Sequence, residues 1–310
     1  MRHTANETEY PGVNMLNKKD KSKSLSLLII SMLIFGTIGI FRRYIPLPSS
    51  ILAMARGFIG ALFLLAIIIF GKKHFSWEAV KKNLLLLIIS GALIGFNWIL
   101  LFEAYNYTSV ATATLCYYAA PIFVIIVSPI FFGERLTAKK LACIGIAIWG
   151  MVLVSGILNA NFSGIRELYG VFFGIGAALL YASVVILNKK IKNVPSYDKT
   201  IIQLASAAIV ILPYTLLTED FSSLTFEPIS IMMILLVGIL HTGAAYAMYF
   251  GSMEKLEAQT VALFSYIDPI VAIILSGIIL HENIGFTGYL GAILVLGATM
   301  ISERPEKKNS

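Results

Sequence analysis

The chain has 310 residues, of which 58% are hydrophobic and 13% charged. That balance excludes a soluble domain, and continuous apolar runs of about 20 residues exclude a β-barrel, whose strands alternate. The net charge of +7 is spread over tails and short loops rather than gathered on one face, so no nucleic-acid partner is expected.

Residues 1–24 read as a polar, basic cytoplasmic tail carrying Lys18, Lys19, Lys21 and Lys23. No small-x-small cleavage site follows the first apolar run, so an uncleaved first helix is expected. Ten apolar spans then follow, at 25–41, 50–70, 83–103, 108–131, 139–158, 168–187, 200–217, 229–250, 258–280 and 284–302, and residues 303–310 are a second polar tail. With the N-terminus inside, the inside segments hold twenty of the 24 Lys and Arg, and the outside segments only Arg42, Arg43 and Arg166. The positive-inside rule therefore puts both termini in the cytoplasm and favours an even number of spans, in the cytoplasmic membrane. Cys116 and Cys143 fall inside spans and read as packing residues rather than a disulfide or metal pair.

The chain matches itself. Asn97 to Leu136 aligns with Ala245 to Ile284 at an offset of 148, pairing Phe102 with Phe250, Tyr118 with Tyr266, Pro121 with Pro269 and Glu134 with Glu282. A weaker match lays the stretch from Leu33 over that from Leu179. The predicted fold is an all-α membrane protein of ten transmembrane helices, built as two inverted five-helix repeats over residues 25–158 and 168–302. Five is odd, so the second repeat crosses upside down, and secondary transporters of this kind bind substrate at the repeat interface near the midplane.

Pro121 with Glu134, Pro269 with Glu282, the GYLGAILVLGATMIS tail and Arg56 early in the second span resemble the two EamA domains of the drug/metabolite transporter superfamily. The resemblance covers about residues 25–302. It implies a basket of ten helices and export of amino acids, related metabolites or drugs. The second repeat has Gln203 where the first has Arg56, so any role of that arginine belongs to one half.

Polar positions that differ between the repeats mark the candidate site: Asp268 against Ala120, His241 against Leu93, Asn97 against Ala245 and Arg56 against Gln203. A charge at mid-bilayer costs about 2.5–3.5 kcal/mol, so Asp268 needs a reason to be there. It would bind a cationic group or exchange a proton; the alternative is a carboxylate bonded to neighbouring helices or paired with Arg56. Helical spacing puts Phe264, Ser265, Ala272 and Ser276 on its face. His241, sharing a face with Ala244, Ala245 and Met248, is either a proton relay to Asp268 or a neutral ring held by a backbone carbonyl. Asn97 and Trp98 would present an amide and a ring to the cavity, or hold helices together. Tyr117, Tyr118 and Tyr266 beside the two prolines would form aromatic walls or simply pack. Tyr181 and Thr37 are further candidates. For Arg56, a structural contact between helices or snorkelling to the membrane edge is favoured, and Glu134 and Glu282 read as helix-end anchors.

Substrate is accordingly expected among the third, fourth, eighth and ninth spans. No nucleotide-binding loop, metal cluster or nucleophile elbow occurs, so no cofactor or metal is expected and the chain does not read as an enzyme. The leading function is a secondary transporter exporting a small molecule by alternating access, with proton coupling open. The alternatives are an importer of a small metabolite, or a non-transporting or lipid-handling membrane subunit.

Overall fold

A computed structural model describes residues 13–42, 44–108, 110–155, 158, 165–224, 227–279 and 286–302. Regular structure among them is entirely helical. In hydrocarbon a helix satisfies its own backbone polar groups, which a chain of this composition must do. The helices are α1 (Val13–Arg42), α2 (Ser49–Phe70), α3 (Trp77–Tyr107), α4 (Val110–Tyr117), α5 (Ala120–Phe132), α6 (Ala138–Ser155) and α7 (Ile165–Lys190). They continue with α8 (Ser196–Thr218), α9 (Pro228–Leu236), a π-helical segment (Val237–Ala244), α10 (Ala245–Ser252), α11 (Ala258–Phe264), α12 (Ile267–Ile279) and α13 (Phe286–Ser302).

Among the described residues, seven helices are long and apolar enough to cross a membrane: α1, α2, α3, the run ending in α5, α7, α8 and the run from α9 through α10. The chain is thus a multi-pass membrane protein. Shorter apolar helices cover Ala258–Ala272 and Phe286–Ser302. Glu282 and the last eight residues lie outside the described residues, and Ser276 outside the described side chains.

The bundle is knit across the chain. α3 lies along α7 and α8, α2 along α8 and the π segment, α6 along α13, and α1 along α10 and α12. Glycine sets two of these approaches: a Cβ at Gly91 would sit 2.4 Å from Gln203 O, and one at Gly36 would sit 2.7 Å from Asp268 O. At Gly36 this draws α1 onto the backbone of the candidate acid.

Three interruptions shape the interior. Pro121 and Pro269 each lack an N–H and crowd the carbonyl four residues back, so the chain breaks between α4 and α5 and again between α11 and α12. The two breaks meet: the Tyr266 hydroxyl donates to the backbone oxygen of Tyr118 at 3.1 Å. The third is the π segment, where the Thr242 hydroxyl donates to Val237 O five residues back. Its extra residue changes which side chains share a face.

One end of the bundle is tied by charge. Glu134 Oε1 accepts from Lys189 Nζ at 2.8 Å and from the Ala258 N–H at 2.7 Å, while Oε2 accepts from the Gln259 N–H at 3.2 Å. The carboxylate thus anchors the first turn of α11. Lys140–Glu257 and Lys255–Asp20 pair at the same end. Half-burial pushes the Glu257 carboxyl up, but its bond to Lys140 and the charges of Lys140, Lys21 and Lys189 together hold the group below the ordinary carboxylate value.

Candidate functional site

A cavity of about 350 Å³ lies in the half of the bundle towards the α1–α2 connection, away from the Glu134 end. Its wall takes Phe35 from α1, Arg56 from α2, Trp98 and Phe102 from α3, Tyr117 from α4 and Tyr181 from α7. It is completed by His241, Tyr246, Tyr249 and, from α12, Asp268. A smaller recess of about 30 Å³ lies next to it, sharing Phe35, Tyr117, Tyr181 and Asp268 and adding Tyr118 and Ser265. Contributions from α1, α2 and α7 make the site broader than the four spans expected from sequence.

Asp268 is a partly buried carboxylate at the start of α12, where the break before Pro269 leaves the chain irregular. Among the described residues no ion pair within 4.0 Å and no hydrogen bond engages it, so pairing with Arg56 does not occur. Arg56 instead stacks its guanidinium carbon 4.2 Å above the Trp98 ring. That stacking is a contact between α2 and α3, as the inter-helix reading expected; contrary to the snorkelling reading, the group faces the cavity, and among the described residues its buried Nε has no acceptor.

His241 is buried, packed edge-on against Phe41 at 4.8 Å, and its Nε2 lies 2.8 Å from the Thr37 hydroxyl. Thr37 spends its one proton on Ile34 O at 2.7 Å. The histidine Nε2–H is therefore the donor, and Nδ1 is left as a buried acceptor without a partner. The partner is a hydroxyl rather than a backbone carbonyl, and no hydrogen bond joins His241 to Asp268 among the described residues. The α-helical face drawn from His241 through Ala244, Ala245 and Met248 is displaced. Across the π turn its neighbour is Tyr246, five residues on, and Tyr249 follows one α turn later.

Aromatic rings make up most of the wall. Tyr181 and Tyr249 lie parallel, with hydroxyls 2.5 Å apart. Tyr246 packs edge-on against Phe35 at 5.1 Å and Trp98 at 6.3 Å, and Tyr117 leans on both Tyr118 and Tyr181. The structure thus brings Asp268, Trp98, Tyr117 and His241 to the main cavity, and Tyr118 and Ser265 to the recess.

Asn97, Tyr266 and Phe264 lie outside both linings. The Asn97 amide faces α7 and donates to Ala177 O at 2.6 Å, joining two helices. Tyr266 turns to the Tyr118 carbonyl, and Phe264 is in the core because the break at Ser265 and Tyr266 ends the helical face drawn through Asp268. Sequence reasoning passed over Phe35, Tyr246 and Tyr249. Phe35 aligns with Tyr181 and Trp98 with Tyr246 at the two repeat offsets, so aromatic positions that agree between halves carried the signal for Phe35 and Tyr246, while Tyr249 aligns with Leu101 and had no such signal.

The EamA-like transporter family matches residues 22–156 and again 168–303. The chain belongs to that family. This EamA-like chain is 30% identical over 289 residues to the uncharacterized transporter YxxF of Bacillus subtilis (strain 168), covering 92% of this chain and 89% of that one. It is 29% identical over 235 residues to a probable amino-acid metabolite efflux pump of Escherichia coli (strain K12), covering 72% and 77%. A crystal structure superposes with a TM-score of 0.81 at 16% identity, over 91% of this chain and 96% of that one, a likeness of fold alone. The EamA-like chain is therefore a membrane transporter of small molecules and not an enzyme.

Proposed function

We propose that this EamA-like transporter is a secondary transporter of the cytoplasmic membrane that exports amino acids or related small metabolites by alternating access. The observation that carries the reading is the cavity itself: an aromatic chamber holding a carboxylate, Asp268, that no group among the described residues neutralises. A cationic or protonatable group of the substrate completes that charge, Tyr117, Tyr181 and Tyr246 hold its apolar body, and any proton coupling runs through Asp268. The export direction is supported by the Escherichia coli relative.

In this reading the chain crosses ten times, as two inverted units over 25–158 and 168–302 with both termini cytoplasmic. The support is that α4–α5 and α11–α12 are broken at matching prolines, that α6 and α13 fill the remaining crossings, and that the basic residues lie on one side. Maleimide labelling of Lys255→Cys from inside and Ser222→Cys from outside tests this topology. Transport is tested by counterflow of a radiolabelled amino-acid panel in proteoliposomes. Asp268→Asn is expected to slow the preferred amino acid at least about tenfold, the weight of one charged contact. An unchanged rate and unchanged pH dependence would remove Asp268 from the mechanism.

A further inference from the structure

We infer that Arg56 is an anion-binding residue of the cavity, taking a carboxylate or similarly shaped oxyanion of the transported molecule; this rests on the cavity being the substrate site.

Arg56 lines the chamber and makes no hydrogen bond or ion pair among the described residues; its Nε is buried without an acceptor. A cation taken out of water without a counter-ion is costly, so its partner is to be sought in what enters the cavity. Its planar fork lies over the Trp98 face at 4.2 Å, which fixes the plane and leaves the in-plane N–H edge free for two parallel bonds to an oxyanion. Asp268 is the one carboxylate in the lining and stands beyond ion-pair distance, and the unpartnered acceptor of His241, its Nδ1, carries no negative charge and takes no hydrogen bond from Arg56 among the described residues.

The repeat supplies the control. Gln203, at the matching position of the second half, is buried between helices, where its amide donates to Ser90 Oγ at 2.7 Å and Asn188 Oδ1 at 3.2 Å. The Gln203 amide nitrogen thus ties helices together, although its Oε1 has no partner among the described residues, whereas Arg56 makes no hydrogen bond between helices there.

Equilibrium dialysis of the purified full-length chain in detergent tests this with three labelled probes that share a phenyl body: phenylacetate, its neutral near-isostere phenylacetamide, and the cation phenethylamine. Wild type is expected to bind phenylacetate at least about tenfold more tightly than phenylacetamide, the discrimination expected of a charge-assisted pair. Arg56→Gln should bring acid and amide level while still binding phenethylamine, which reports that its cavity is folded. Should Arg56→Gln not fold, the wild-type ratio decides, because Arg56 is the fixed cation of the lining. Equal binding of acid and amide by wild type, or a preference that survives Arg56→Gln, overturns the inference. Phenethylamine binding without phenylacetate binding sinks this inference alone. Binding of none of the three sinks the cavity reading as well.

Discussion

Removing the Glu134 carboxylate should loosen the whole charged end of the bundle. The side chain is 8% exposed and its partner Lys189 14%, so this pair is shielded from water, unlike Lys140–Glu257, where the glutamate is 49% exposed. Glu134→Ala deletes three bonds at once, to Lys189 and to two N–H groups of the first turn of α11, and leaves the lysine without its carboxylate, holding Leu256 O and the face of Phe132. Breaking a buried pair by removing one partner costs about 3–5 kcal/mol, and lost helix anchoring lies within the same range. Glu257→Ala, an exposed pair, should cost under about 1 kcal/mol. At about 2.1 cal/mol/K of unfolding entropy per residue a chain of this length shifts by roughly 1.5 °C per kcal/mol, so Glu134→Ala should lower the melting temperature by roughly 5–8 °C and Glu257→Ala by no more than about 2 °C. Thermal unfolding in detergent, followed by circular dichroism at one scan rate for all variants, reads the difference. Glu134→Gln, keeping one acceptor, should fall between. If the Glu134→Ala and Glu257→Ala shifts are equal, the anchoring role is wrong.

Gly36→Ala puts a methyl 2.6 Å from Val271 Cβ and 2.7 Å from Asp268 O, and should destabilise by about 1–3 kcal/mol, whereas Gly39→Ala, with nothing within 4 Å, should melt as wild type does. Thr37→Val removes the acceptor of the His241 Nε2–H and should destabilise by about 1–3 kcal/mol, with Thr37→Ser restoring it; an unchanged melt would assign the histidine another partner. Because the Glu257 carboxyl is held low, its pair with Lys140 contributes above the ordinary carboxylate value and is lost as pH falls through the lowered one. Glu257→Gln should therefore narrow its gap to wild type in melts at acid pH, and a gap that widens there would contradict the pairing.

What was legible in the sequence was what local chemistry dictates. Proline removes a backbone donor at mid-span, so Pro121 and Pro269 at matching repeat positions announced the paired interruptions, although Pro129 and Pro213 are carried inside the continuous helices α5 and α8. The Glu134 anchor followed from a carboxylate placed at a helix end. Facing was harder to read. Asn97 and Trp98 are adjacent and equally plausible on paper, yet one turns to Ala177 and the other to Arg56. Arg56 and Gln203 share a position, and only their neighbours, Trp98 for one and Ser90 with Asn188 for the other, separate a cavity group from a structural one. The face around His241 was misjudged because a π turn leaves no composition signal, and a single added residue moves every later side chain.

That added residue has a mechanical meaning. Each residue of an α-helix advances the face by about 100°, so the π turn holds α10 rotated by that amount against α9. Its backbone is pressed against α2, where a Cβ at Gly238 would meet Ile59 and one at Gly243 would meet Phe63. Straightening the turn to α geometry would work as a ratchet. It would swing Tyr246 and Tyr249 off the wall and turn Ala245 and Met248 towards the space they leave. One helix would thereby trade an aromatic lining for an aliphatic one while advancing along its axis by one residue's rise, ~1.5 Å.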